Sequence, residues 1–142
     1  MSFTQAIAVC FSKYVVFSGR AQRAEFWWWI LFTWLASMAL SALELGIVGA
    51  AGGVPFMNGL FSLATFLPSL AVAVRRLHDT GRSGWWLLIG LVPIVGWILL
   101  IVWYATDGDA GANDFGPDPR SGGGYDDDGD DTGKSGVPTV NR

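Results

Sequence analysis

Three stretches of the chain, each about as long as a bilayer's hydrocarbon core is thick, carry almost no polar side chain on any face. They are Phe26–Gly46 (FWWWILFTWLASMALSALELG), Met57–Val74 (MNGLFSLATFLPSLAVAV) and Trp85–Tyr104 (WWLLIGLVPIVGWILLIVWY). A helix that is apolar all round belongs in a large core or in lipid. A chain of 142 residues still exposes about a third of its unfolded-state surface after folding, so it supplies no such core. Charged residues make up 15% of the chain, against roughly 25% in soluble domains. Between Phe26 and Ala105 the charges are confined to Glu44, Arg75, Arg76, Asp79 and Arg82, with His78 beside them. Lipid is the better solvent.

Residues 3–17 place Phe3, Ile7, Cys10, Phe11 and Tyr14 on one side of a helix. The segment is short for a crossing and contains Lys13, so an amphipathic helix lying in the interface is expected over residues 1–19, ended by Ser18-Gly19. No basic n-region precedes the first apolar run, so a signal peptide is not expected. The first span opens on Trp27, Trp28 and Trp29, rings that prefer headgroup level. It carries Ala42, Gly46 and Ala50 at four-residue spacing, with Ser37 and Ser41 alongside, a pattern that lets helices approach closely. Pro68 should kink the second span, and Pro93 and Gly96 mark flexure points in the third. Residues 105–119 are turn formers. Residues 120–142, with the run Asp126–Asp131, bury too little apolar surface to fold and read as a disordered acidic tail. The expected fold is an all-α integral membrane protein: an interfacial helix, a three-span membrane domain over residues 20–119 (spans 26–46, 57–74 and 85–104), and that tail.

Lys13, Arg20 and Arg23 precede the first span and Arg75, Arg76 and Arg82 follow the second, while the turn between the two spans is uncharged. The positive-inside rule puts the N-terminus and the 75–84 loop in the cytoplasm. Three crossings then carry the tail outside. The competing arrangement has a spanning N-terminal helix, four passes and the tail inside.

One face thus gathers Arg20, Arg23, Glu25, Arg75, Arg76, His78, Asp79 and Arg82. Guanidinium forks match phosphate oxygens, which suits an anion or lipid-headgroup site. His78 has the titration range for proton exchange, although Asp79 next to it points to another side of a helix. The bland alternative is that the arginines set topology and pair with Glu25 or Asp79. Glu44, alone in the first span, falls near the far interface, within reach of water. Asp107, Asp109 and Asp118 match part of a calcium-loop spacing, but Gly111 and Ala112 break it. With one cysteine and one histidine no disulfide or zinc ligand set can form. Neither metal, cofactor nor nucleic acid is expected.

Several motifs occur in order: Gly19-Arg20-Ala21-x-Arg23-x-Glu25-Phe26-Trp27, Arg75-Arg76-Leu77-His78-Asp79, Ser83-Gly84-Trp85, and Gly111-x-Asn113-x-Phe115-Gly116-Pro117-x-Pro119. Over about residues 5–120 the chain resembles the domain of unknown function 805 family of small bacterial inner-membrane proteins. The resemblance implies a bacterial inner-membrane location, no established activity and no catalytic residue. It adds Gly111, Asn113, Gly116 and Pro119 to the candidate residues. The expectation is a non-enzymatic interaction or assembly protein in contact with membrane lipids, homo-oligomeric or joined to another membrane protein. The alternative is a small transporter or channel subunit, or an anion or headgroup binder using the arginine-rich loop.

Overall fold

The computed structural model describes residues 1–121. Among them the chain is all-helical, with one isolated bridge between Asn113 and Gly116. The acidic run Asp126–Asp131 lies outside the described residues.

The frame is an antiparallel hairpin of α2 (Arg23–Ile47) and α3 (Met57–Asp79), about 37 and 34 Å long at 1.5 Å per residue. Along the hairpin Trp29 Nε1 donates to Ser69 Oγ at 2.9 Å, Phe32 meets Phe61 edge-on, and Asn58 Nδ2 donates to Ser41 Oγ at 3.0 Å. Both helices are long and apolar enough to cross a membrane. Their outward side chains settle which solvent they suit: Trp34 is 59% exposed and Leu63 73%. The central helices of a soluble protein would bury such residues, so this apolar belt is a lipid-facing surface.

Helix α1 (Phe3–Ser12) starts with a capping box, in which the Ser2 hydroxyl accepts from Gln5 N–H and the Gln5 side chain accepts from Ser2 N–H. It packs across one end of the hairpin, with Phe3 edge-on to Trp28 and Phe11 edge-on to Trp29. Cys10 belongs to the core, as the helical spacing suggests. Ala6 is also fully buried, whereas Phe11 stays about half exposed.

Three expectations are corrected. First, Arg75–Asp79 is not loop: α3 continues through it, and Arg75 and Arg76 are fully buried. Burial among partners offsets much of the insertion penalty that an unpaired arginine would meet.

Second, the third apolar stretch is not one helix. It divides into a 3-10 helix (Gly84–Leu91) and α4 (Val95–Ala105). Pro93 lacks an N–H and disfavours the helical conformation at Val92, and Ile94 takes a positive φ of 67°. The chain then folds back. Trp97 Nε1 donates to Gly90 O at 2.9 Å and Trp86 meets Trp103 at 5.7 Å. Gly96 is required at this bend, because a Cβ there would overlap Ile89 O.

Third, this return brings residues 105–119 to the same end of the bundle as Arg20 and the start of α2. Gln22 Nε2 donates to Pro119 O at 2.9 Å. Three crossings would have put these segments at opposite ends. An in-and-back stretch puts them together.

Candidate functional site

At that shared end, five ionisable side chains are almost completely enclosed: Arg20, Glu25, Arg75, Arg76 and Asp79. They come from three local settings. Arg20 lies in the extended link before α2, Glu25 in the first turn of α2, and the other three in the last turns of α3. Spacing on α3 explains how they divide. Arg76 and Asp79, three residues apart, share a face, whereas Arg75 points toward α2 and Glu25.

Asp79 is the centre. Its Oδ1 accepts from Arg20 Nε at 2.9 Å and its Oδ2 from Arg76 Nη1. Both guanidinium groups then bind main-chain carbonyls. Arg20 donates to Asp109 O at 2.5 Å, Gly111 O at 2.6 Å and Gly116 O at 3.3 Å. Arg76 donates to Tyr104 O at 3.1 Å, Ala21 O at 3.4 Å and Thr106 O. One carboxylate and two arginines therefore tie together the pre-α2 link, the end of α3, the end of α4 and the turn beyond. Gly108 is the close approach that allows it, since a Cβ there would overlap the Asp79 carboxylate.

Residues 106–119 form the cover. Asn113 Nδ2 donates to His78 O at 2.9 Å, and its Oδ1 accepts from Phe115 N–H at 2.9 Å. The Phe115 ring stacks on His78 with centroids 4.1 Å apart and planes 5° from parallel. The other face of the link is held by His78 Nδ1, 2.9 Å from Gly19 O. His78 is thus a packing and hydrogen-bonding residue set apart from Asp79, as adjacent helix positions require.

The second pair is Glu25 with Arg75, beside the Cys10 thiol, which lies 3.9 Å from Glu25 Oε1. Among the described residues no hydrogen-bond partner reaches the buried Nε and Nη2 of Arg75. Burial, and secondarily the Glu25 charge, pushes the Cys10 thiol up to about 12, so the thiol stays protonated and inert at neutral pH.

Besides His78, two predicted members stand outside the cluster. Arg23 is exposed and pairs with Asp107 at 2.6 Å. Arg82 lies over the Trp103 ring at 4.7 Å. The partial calcium-loop spacing does not assemble: Asp107 faces Arg23, and Asp118 is held by Arg120 at 3.0 Å, whose hydrogen bonds lower its carboxyl to about 2. Among the described residues no group of three or more His, Cys, Asp or Glu gathers as a metal site would. Glu44 is more enclosed than its place near an interface suggested. It is 5% exposed, and its carboxylate accepts from Met57 N–H at the start of α3.

Sequence reasoning overlooked the carbonyls of Tyr104, Thr106, Asp109, Gly111 and Gly116, and the role of Gly108. Main-chain acceptors have no side-chain signature. The one available signal was the coexistence of two arginine motifs with a turn-rich stretch long enough to cover them.

An all-helical chain with a lipid-facing hairpin, locked at one end by buried ion pairs, defines a helical membrane protein built on a polar clamp. The comparisons agree. The chain matches the model of "Protein of unknown function (DUF805)" over residues 14–117, and it belongs to that family. It is 46% identical to inner membrane protein YhaI of Escherichia coli (strain K12) over 110 residues, covering 78% of this chain and 91% of that one. Inner membrane protein YhaH of the same organism is 43% identical over 110 residues, covering 76% and 90%. Uncharacterized protein YiiR is 40% identical over 85 residues, covering 59% and 53%. No solved structure matches the chain. The match spans all of the clamp residues named above.

Proposed function

We propose that this is a non-enzymatic assembly protein of the inner membrane, which uses the clamp as a rigid base and the outer face of the α2–α3 hairpin as a contact surface. The observation that carries this is the fate of the polar groups. Arg20, Arg76, Asp79 and Glu25 all bind one another or the main chain, so the cluster fixes structure rather than presenting a reactive group. The hairpin meanwhile leaves Ala42 and Gly46 exposed on α2. A second membrane helix can pack closely against small residues of that kind.

The clamp end faces the cytoplasm on this proposal, because Arg20, Arg23, Arg75, Arg76 and Arg82 are gathered there and the 48–56 turn carries no charge. Residues 106–119 then face the cytoplasm too. Fusions of reporters active on one side only, placed after Arg120 and within residues 50–54, test this. Equal activity at both positions would refute it.

Replacing Ala42 and Gly46 together by leucine is expected to abolish higher species in native mass spectrometry and in-membrane crosslinking. An unchanged species distribution would remove the contact surface.

A second function, capture of an anion or lipid headgroup, is supported by a cavity of about 170 Å³ lined by Gln22, Arg23, Ala24, Asp79, Gly108 and Arg120. Lipid that co-purifies equally with the Arg23→Ala, Arg120→Ala double variant would exclude it.

A further inference from the structure

Among the described residues Glu44 is the one buried carboxylate that the clamp does not use. It lies 19 positions after Glu25 in α2, about 28 Å away at 1.5 Å per residue. That distance nearly equals the hydrocarbon thickness of a bilayer, roughly 30 Å. With Glu25 at one headgroup level, Glu44 stands at the other.

Its surroundings are incomplete. Oε1 caps the first N–H of α3, at Met57. Nothing among the described residues donates to Oε2, and no described cation pairs with the carboxylate. One oxygen is thus held by a main-chain N–H, and the other is left free to accept from a ligand. Beside it lies a cavity of about 360 Å³, walled by Ser41, Glu44, Leu45, Gly49 and Pro55.

The wall selects among cations. A hard metal ion needs about six oxygen ligands, and the wall's side chains offer one carboxylate and one hydroxyl. A primary ammonium carries a single charge and three donors on a small body. It can donate to Glu44 and Ser41 while its methylene groups lie against Leu45 and Pro55. At headgroup depth such a group is supplied by a phospholipid.

From the largely buried carboxylate with one oxygen unused, the mixed wall and the depth together, we infer that this cavity binds the primary ammonium of an aminophospholipid headgroup in the leaflet opposite the clamp. The site is independent of the assembly surface proposed above.

The test uses the full chain in nanodiscs containing equal amounts of phosphatidylethanolamine and phosphatidylcholine, with bound lipid counted by native mass spectrometry. The quaternary ammonium of phosphatidylcholine has no N–H to donate. The wild type is expected to retain phosphatidylethanolamine at least about tenfold over phosphatidylcholine, the scale of one hydrogen-bonded charge contact.

Glu44→Gln keeps an oxygen for the Met57 N–H and removes the charge, and its preference should fall to near unity. Ser41→Val, which removes the second acceptor and fills the cavity, should lower the preference as well. Protection of the Cys10 thiol, at the other end of the hairpin, reports that each variant is folded. Should Glu44→Gln lose that protection, the wild-type ratio and Ser41→Val decide.

Equal retention of both lipids by the wild type, or an unchanged preference in folded Glu44→Gln, overturns the inference. Displacement of the lipid by millimolar free ethanolamine would assign the site to a soluble amine and overturn the lipid source.

Discussion

Asp79→Asn removes the charge at the centre of the clamp while keeping its shape. In the wild type both carboxylate oxygens are occupied, one by Arg20 and one by Arg76, and all three side chains are at least 94% enclosed, Arg20 being 6% exposed, Asp79 1% and Arg76 0%. Removing one partner of a buried pair costs about 3–5 kcal/mol. Two pairs are lost here, but they share one carboxylate, so their losses do not add. The carbonyl bonds of Arg20 to Asp109, Gly111 and Gly116, and of Arg76 to Ala21, Tyr104 and Thr106, survive the substitution. About 3–5 kcal/mol in total is therefore expected, a large share of the 5–15 kcal/mol typical of a folded domain. The assay is reversible unfolding in mixed micelles of rising denaturing-detergent fraction, with maleimide modification of Cys10 as the probe. Arg23→Ala is the control, since its pair with Asp107 is exposed and such pairs contribute at most about 1 kcal/mol. If Asp79→Asn and Arg23→Ala shift the transition equally, the clamp does not hold the fold and the reasoning fails.

Gly108→Ala should destabilise by an amount comparable to Asp79→Asn, because its methyl group would displace the carboxylate; a transition within error of wild type in the same assay would contradict the close approach. Asn113→Ala removes the bond to His78 O and the turn-closing acceptor for Phe115 N–H. His78 O keeps the Gly81 N–H at 3.0 Å, so a loss of about 1–3 kcal/mol is expected from two hydrogen bonds at about 0.5–1.5 kcal/mol each, and protease cleavage within residues 106–119 should accelerate. Cys10 keeps its proton in the folded state up to about pH 12 against an ordinary 9.0, so above pH 9 the unfolded chain binds fewer protons and stability falls as pH rises. Alkaline unfolding curves of wild type and Cys10→Ala should diverge above pH 9, with the wild type losing more; parallel curves would show that the thiol is not buried.

Solvent choice was readable from residues 26–46 and 57–74 because it depends on composition and length alone, and those two segments became the hairpin. The end of α3 was not readable, since hydropathy treats Arg75 and Arg76 as residues that lipid rejects. The structure replaces water with partners: Glu25, Asp79 and carbonyls contributed from 28 to 30 residues further along the chain. Hydropathy scores a residue against solvent, and partners so distant in sequence do not enter it. The candidate list named every charged member of the cluster, but the pairing of Arg20 with Asp79 across 59 positions needed the folded chain.

The third apolar stretch shows how one local bend decides a global property. Its length and composition equal those of a span, and Pro93 alone would have kinked a continuous helix. The addition of Ile94 at positive φ and of Gly96 in contact with Ile89 turns the kink into a return, a reversal that brings residues 106–119 back to the end that holds Arg20. That reversal is what lets Asp109, Gly111, Asn113 and Gly116 meet Arg20 and His78. The motif beginning Gly19-Arg20 and the one beginning Gly111 are therefore two halves of one structure, and the bend between 92 and 96 is the condition for their meeting. A continuous helix through residues 85–104 would leave Arg20 without its carbonyl partners and Asp79 without its cover. The topology and the clamp stand or fall together.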